Sequence, residues 1–129
     1  MKDVKKDFGK INSVKEIAES KIKAANALAD EHYYGKLTLF YDALRELLEC
    51  VALVKGYKIY DHECYTAFLK EILNESSLGD EFDKFRILRN GINYYGRRIT
   101  HEEGIGIIRQ MIIFIDKINL LIKKNNDKK

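Results

Sequence analysis

Apolar residues recur every three or four positions along most of this chain, the period of helices that bury one face. Leu37, Phe40, Tyr41, Leu44, Leu47, Leu48, Val51 and Val54 follow the i, i+3, i+4, i+7 pattern closely and predict a long helix that Gly56 ends. Ahead of it, Val14, Ala18, Ile22, Ala25, Leu28 and Ala29 keep the same spacing. Ser13 and Glu16 stand as a capping box at the start of that first helix, which the pattern carries to about residue 32. Tyr33, Tyr34 and Gly35 then read as the turn between the two.

Further on, a short helix is predicted over residues 62–73, after the link 57–61. The segment from Asn74 through Gly79 has the polar composition of a break. A fourth helix begins near Asp80, turns Phe82, Phe85, Leu88 and Ile92 inward, and ends around Tyr95 and Gly96. Thr100 and Glu103 form a second capping box for a last helix running to about Lys123. That helix carries two apolar stripes: Ile105, Ile108, Ile112, Ile115 and Ile122, and beside them Ile107, Met111, Phe114, Ile118 and Leu121. Such a helix must be covered on two sides. Either it lies at the centre of the bundle or one stripe faces a second copy of the chain. The expected architecture is all-α: one domain over residues 1–129, a five-helix up-and-down bundle of four long helices and one short, with residues 1–12 and 124–129 as frayed tails.

Composition sharpens this picture. The chain contains no proline, where an average usage of about 5% would give roughly six, so nothing interrupts long helices. No apolar run approaches the roughly 20 residues of a membrane span, and Met1-Lys2-Asp3-Val4-Lys5-Lys6 lacks a signal peptide's apolar stretch. Cys50 and Cys64 form no CxxC pair and read as reduced, half-buried thiols of a cytoplasmic protein.

The net charge of +3 is small, but its distribution is uneven. Lys84, Arg86, Arg89, Arg97 and Arg98 fall between residues 84 and 101 with no acid among them, so the rest of the chain is net negative. On a helix, Arg86 stands i−3 to Arg89, Arg89 i−4 to Asn93, and Asn90 i−4 to Tyr94. Guanidinium forks suit phosphate oxygens bidentately, and phenol rings stack on unpaired bases. The alternative is that the arginines pair with acids elsewhere in the chain. Gly91 inside the helix costs about 0.5–1 kcal/mol relative to alanine, which points to a bend or a close approach there.

Other constellations carry less chemistry. His62-Glu63-Cys64 places an imidazole and a thiol on different sides of a helix, and a structural zinc site needs four ligands. His32 and His101 fall near predicted helix ends as capping or surface groups. No Walker loop, dinucleotide fingerprint, HExxH or GxSxG is present, so neither a metal nor a cofactor is implied.

The helix lengths, Tyr33-Tyr34 before the second helix and Val54-Lys55-Gly56-Tyr57-Lys58 after it, together with Phe85-Arg86-x-x-Arg89-Asn90-x-x-x-Tyr94-Tyr95-Gly96, resemble the HEPN superfamily over roughly residues 14–123. The resemblance implies a small helical bundle acting as a homodimer. It also implies RNA as substrate or ligand, in the manner of the metal-independent endoribonucleases and toxins of that family. The family signature is an arginine, often followed by a polar residue, and then a histidine four to six residues later. Arg89 matches the arginine, Asn90 the polar residue, and Tyr94 stands in the histidine position. A phenol, with an ordinary pKa of about 10, is a poor general base at neutral pH. Positioning a phosphate and stacking on a base remain open to it. His101 lies too far along the chain to substitute.

The resemblance thus places Arg89, Asn90 and Tyr94 as the catalytic set, with Arg86, Asn93, Tyr95, Arg97 and Arg98 as RNA- and phosphate-binding neighbours. Positions 89 and 94 are about 140° apart on a straight helix of 3.6 residues per turn. One protomer alone is therefore not expected to aim both at one phosphate, whereas a two-fold interface would bring two sets together. The alternative implied role is a non-catalytic interaction module, one half of a toxin–antitoxin pair whose other half is a nucleotidyltransferase. Tyr94 or Tyr95 would then be modified.

Overall fold

The structure is a computed structural model that describes residues 1–127. It is an all-α helical bundle of five helices with one two-residue strand pair. Helix α1 spans Phe8–Ala27, α2 Tyr33–Val54, α3 Cys64–Ala67, α4 Ser76–Tyr95 and α5 His101–Asp127. A π-helical turn over Phe68–Ile72 continues α3, and a 3-10 turn over Asp30–His32 leads into α2. Strand β1, Lys2–Asp3, pairs antiparallel with β2, Tyr57–Lys58. Among the described residues no helix is long and apolar enough to cross a membrane.

Helix α2 is the central element. Fourteen of its 22 residues are buried, all apolar or aromatic except Lys36 and Glu46, and it packs against both α1 and α5. Phe40, Tyr41, Leu44, Leu47, Leu48 and Val51 are almost wholly removed from solvent. At about 1.5–3 kcal/mol per buried large side chain, this helix supplies a large share of the apolar burial. Helix α5 packs chiefly against α2 and turns both of its stripes into the bundle. Ile108, Ile115 and Ile122 from one stripe and Met111, Phe114 and Ile118 from the other are all buried within the chain, merging into one broad face. The exposed apolar residues of α5 are Ile112, which belongs to a stripe, and Ile113 and Leu120, which do not.

Several boundaries differ from the pattern-based expectation, each for a local reason. Helix α1 starts at Phe8 rather than near Ser13, because Asp7 caps it by accepting from the Lys10 backbone N–H at 3.0 Å. Ile11 extends the apolar stripe back by a turn and is buried. The first residues are tied down: Val4 N–H donates to the Gly56 carbonyl at 2.8 Å beside the β1–β2 pair. Helix α1 stops at Ala27, where Lys36 Nζ donates to the Leu28 carbonyl at 2.9 Å. Helix α4 begins at Ser76, after Asn74 takes a left-handed conformation with φ 56°. Helix α5 continues to Asp127, and the expected tail over residues 128–129 lies outside the described residues.

Tyr33 and Tyr34 are not a turn. They open α2, and both hydroxyls donate to the Ile99 carbonyl at 3.3 Å, while Tyr34 also accepts from the Ile99 N–H at 3.0 Å. The pair thereby pins the link between α4 and α5 to the start of α2. Gly104 makes room for it: a Cβ there would meet Tyr33 Cδ2 at 2.7 Å. The capping box at the head of α5 forms as the sequence predicts. Thr100 Oγ1 accepts from the Glu103 N–H at 3.1 Å, and Glu103 Oε1 accepts from the Thr100 N–H at 3.3 Å.

Candidate functional site

The second half of α4 carries the arginine-rich run, and its end is set by Gly96. That residue adopts φ 65° as a left-handed cap, and Arg97 N–H reaches back to the Gly91 carbonyl at 2.9 Å. The same turn accounts for Gly91. A Cβ at that position would stand 3.2 Å from Arg97 Cδ, so the close neighbour is the folded-back arginine side chain.

Arg89 lies at the centre of the site. Its guanidinium carbon sits 5.4 Å from the ring centroid of Tyr41 on α2 and 5.4 Å from that of Tyr94. Its Nη1 donates to the Tyr94 hydroxyl at 3.2 Å. Cation–π contacts of this length contribute about 0.5–2 kcal/mol each, more as the site dries. The two rings hold the cation without neutralising it. Its Nε is buried with no hydrogen-bond partner, and among the described residues no carboxylate forms an ion pair with it. Arg89 and Tyr94 therefore meet within a single chain, contrary to the expectation from helical angles. The long arginine side chain reaches over the last turn to the phenol, and no second copy is needed to join them.

Arg86 differs. It is held by Asp83 one turn earlier, whose Oδ1 accepts from its Nε at 3.2 Å and its Nη2 at 2.7 Å. The acid sits just outside the acid-free window, so a local partner does exist for this arginine. An i, i+3 pair of this kind is worth a few tenths of a kcal/mol, a weak hold that leaves the guanidinium accessible to a stronger anion.

Arg86, Arg89, Asn90 and Tyr94 line one open cleft of about 300 Å³ together with Asp61, His62 and Glu63 from the link before α3. Of the expected site residues, these four from α4 are brought together. Asn93 lies outside that cleft and lines an adjoining apolar crevice with Leu37, Thr38 and Met111, to which Arg89 also contributes. Arg97 borders a different groove with Lys84, Ile87 and Gln110. Arg98 is exposed, and Tyr95 is 83% exposed. The basic run is thus divided between two faces rather than presented as one.

The residue that sequence reasoning passed over is His62. Its Nδ1 lies 3.1 Å from the Tyr41 hydroxyl, so imidazole, phenol and guanidinium follow one another from His62 through Tyr41 to Arg89. Burial pushes the Tyr41 phenol up to about 12 against the opposing pull of Arg89, Arg45 and Arg86, so it remains protonated. Burial, reinforced by Arg45 and Arg89, holds the His62 imidazole below its usual value, which keeps it neutral near pH 7. The signal for it was the His-x-Cys pair weighed for zinc. Only the fold brings that loop beside α4. Cys64 takes no part in the cleft, and Cys50 is buried with its thiol pushed up to about 12 by desolvation, which makes it inert. His101 packs edge-on against Tyr33, away from the Arg89 cleft.

In comparisons with known proteins, no family model and no curated protein matches this chain.

Proposed function

We propose that the chain is an HEPN-like, RNA-directed protein that holds a phosphodiester at Arg89 and cleaves it without a metal, working as a homodimer. The observation that carries this reading is the state of Arg89: a cation clamped between the Tyr41 and Tyr94 rings, with no carboxylate partner, facing an open cleft that also contains Asn90 and His62. Such a guanidinium stabilises charge developing on a phosphate. Tyr94 is 66% exposed, which leaves a face of its ring for an unpaired base. Asp61 and Glu63 bound the cleft on the loop side, so the site suits one phosphate of a flexible single strand better than a long duplex backbone. The homodimer is supported by Ile113 and Leu120, 55% and 68% exposed one heptad apart on α5, an apolar surface of the sort that two-fold contacts cover.

The test is cleavage of a panel of single-stranded oligoribonucleotides in excess EDTA. The wild type should cut, giving cyclic-phosphate ends, and Arg89→Ala should be slower by about 10²–10³, the usual effect of removing one such stabilising donor. Undiminished cutting by Arg89→Ala would overturn the assignment.

A second reading draws on Tyr95. The most exposed of the large apolar and aromatic side chains, it is accessible to a modifying nucleotidyltransferase, for which the chain would be the interaction partner. A mass increase of one nucleotide, lost in Tyr95→Phe, would favour that role.

A further inference from the structure

Resting on the RNA reading above, we infer that His62, delivered by the link before α3, is the residue that moves the proton in this cleft, and that Tyr41 positions it. The position on α4 where the sequence would seek a histidine holds Tyr94, already engaged as the acceptor of Arg89 Nη1. The cleft nevertheless contains an imidazole. His62 lines it alongside Arg89 and Asn90, and its Nδ1 is bound to the Tyr41 hydroxyl at 3.1 Å. That bond leaves Nε2 as the ring nitrogen free for a ligand. The Tyr41 ring in turn stacks beneath the Arg89 guanidinium, so one side chain fixes both the phosphate-binding cation and the base. Of the two tautomers this bond admits, the step uses the one whose Nδ1–H donates to the Tyr41 oxygen, in which Nε2 carries the lone pair.

The step then balances as follows. Nε2 takes the proton of a ribose 2′-hydroxyl, and the 2′-oxygen forms a bond to phosphorus. The bond from phosphorus to the 5′-oxygen breaks, and the leaving oxygen takes a proton from water. The products are a 2′,3′-cyclic phosphate and a 5′-hydroxyl, and the imidazolium returns its proton to solvent. Arg89 stabilises the negative charge that builds on the phosphate oxygens.

The groups around His62 favour its neutral form. Burial is the largest influence, Arg45 from α2 and Arg86 and Arg89 from α4 also disfavour protonation, and Asp42 on α2 opposes them; the carboxylates of Asp61 and Glu63 flank it on its own link. Because the base must be neutral in the free protein, kcat/KM should be constant near pH 7. It should fall as pH drops below the ordinary histidine value of about 6.5.

Two measurements test this. In EDTA, His62→Gln should cut an oligoribonucleotide about 10²–10⁴ times more slowly than wild type while binding it with unchanged affinity. Tyr41→Phe, which keeps the ring under Arg89, should likewise keep affinity and lose rate. In parallel, the His62 ring resonance is titrated by NMR with and without the same oligonucleotide carrying 2′-deoxyribose. Its pKa should rise when the phosphate binds, and should not rise in Arg89→Ala. Wild-type cutting by His62→Gln, a His62 resonance unmoved by an oligonucleotide that binds through Arg89, or Arg89-dependent binding without any cutting each overturns the role of His62 and leaves RNA binding standing. No binding to the wild type overturns the RNA reading and this inference with it.

Discussion

The protein contains two tyrosine pairs that use the same chemistry to different ends. At the head of α2, Tyr33 and Tyr34 spend their hydroxyls on the backbone of Ile99, and Gly104 closes against the Tyr33 ring. Backbone donors and acceptors supply the partners of that corner. Around Arg89, Tyr41 and Tyr94 enclose a cation whose Nε has no acceptor, and the cleft beside them is open. A polar cluster that closes on the backbone is a fastening. One that leaves a charge unanswered at an open surface is where a ligand fits.

Substitutions can break this contrast. The largest effect belongs to the open pair: Arg89→Ala should lower cleavage by about 10²–10³ while the far-ultraviolet circular dichroism spectrum stays that of the wild type. Next comes the closed corner. Gly104→Ala puts a methyl into the Tyr33 ring and should cost about 1–3 kcal/mol in urea unfolding, with affinity for RNA unchanged wherever the protein remains folded. Tyr34→Phe removes one donated and one accepted hydrogen bond and leaves the Ile99 N–H unsatisfied, for about 1–2 kcal/mol by the same measurement. The smallest effect is that of Tyr94→Phe. It keeps the ring over Arg89 and should change stability by less than about 0.5 kcal/mol, while weakening RNA binding a few-fold in a fluorescence titration.

The two pairs also differ in how far the sequence revealed them. Arg89, Asn90 and Tyr94 were legible because they lie on one helix within a few residues, where spacing alone places neighbours. The capping box of Thr100 and Glu103 was legible for the same reason, as was the central stripe of α2. Tyr33 and Tyr34 read as a turn because the partner that gives them purpose, Ile99, is far away in sequence. His62 was hidden likewise: its relation to Arg89 runs through Tyr41 on another helix, and no periodicity records that. Asp83 was missed for a humbler cause, standing one residue before the run of basic residues that seemed free of acids. The split of that run into two faces depends on where the Gly96 turn sends Arg97, which again only the fold decides.

The central claim is that Arg89, rather than the basic run as a whole, is the phosphate contact. The most direct measurement is the salt dependence of binding to a short single-stranded oligoribonucleotide, compared among wild type, Arg89→Ala and the Arg97→Ala, Arg98→Ala double variant. With one or two phosphates engaged, the wild-type slope of log affinity against log salt should be about −0.7 to −1.4. Arg89→Ala should lose most of the affinity and about 0.7 of that slope, and the double variant should keep both. A wild-type slope retained in Arg89→Ala and lost in the double variant would contradict the account.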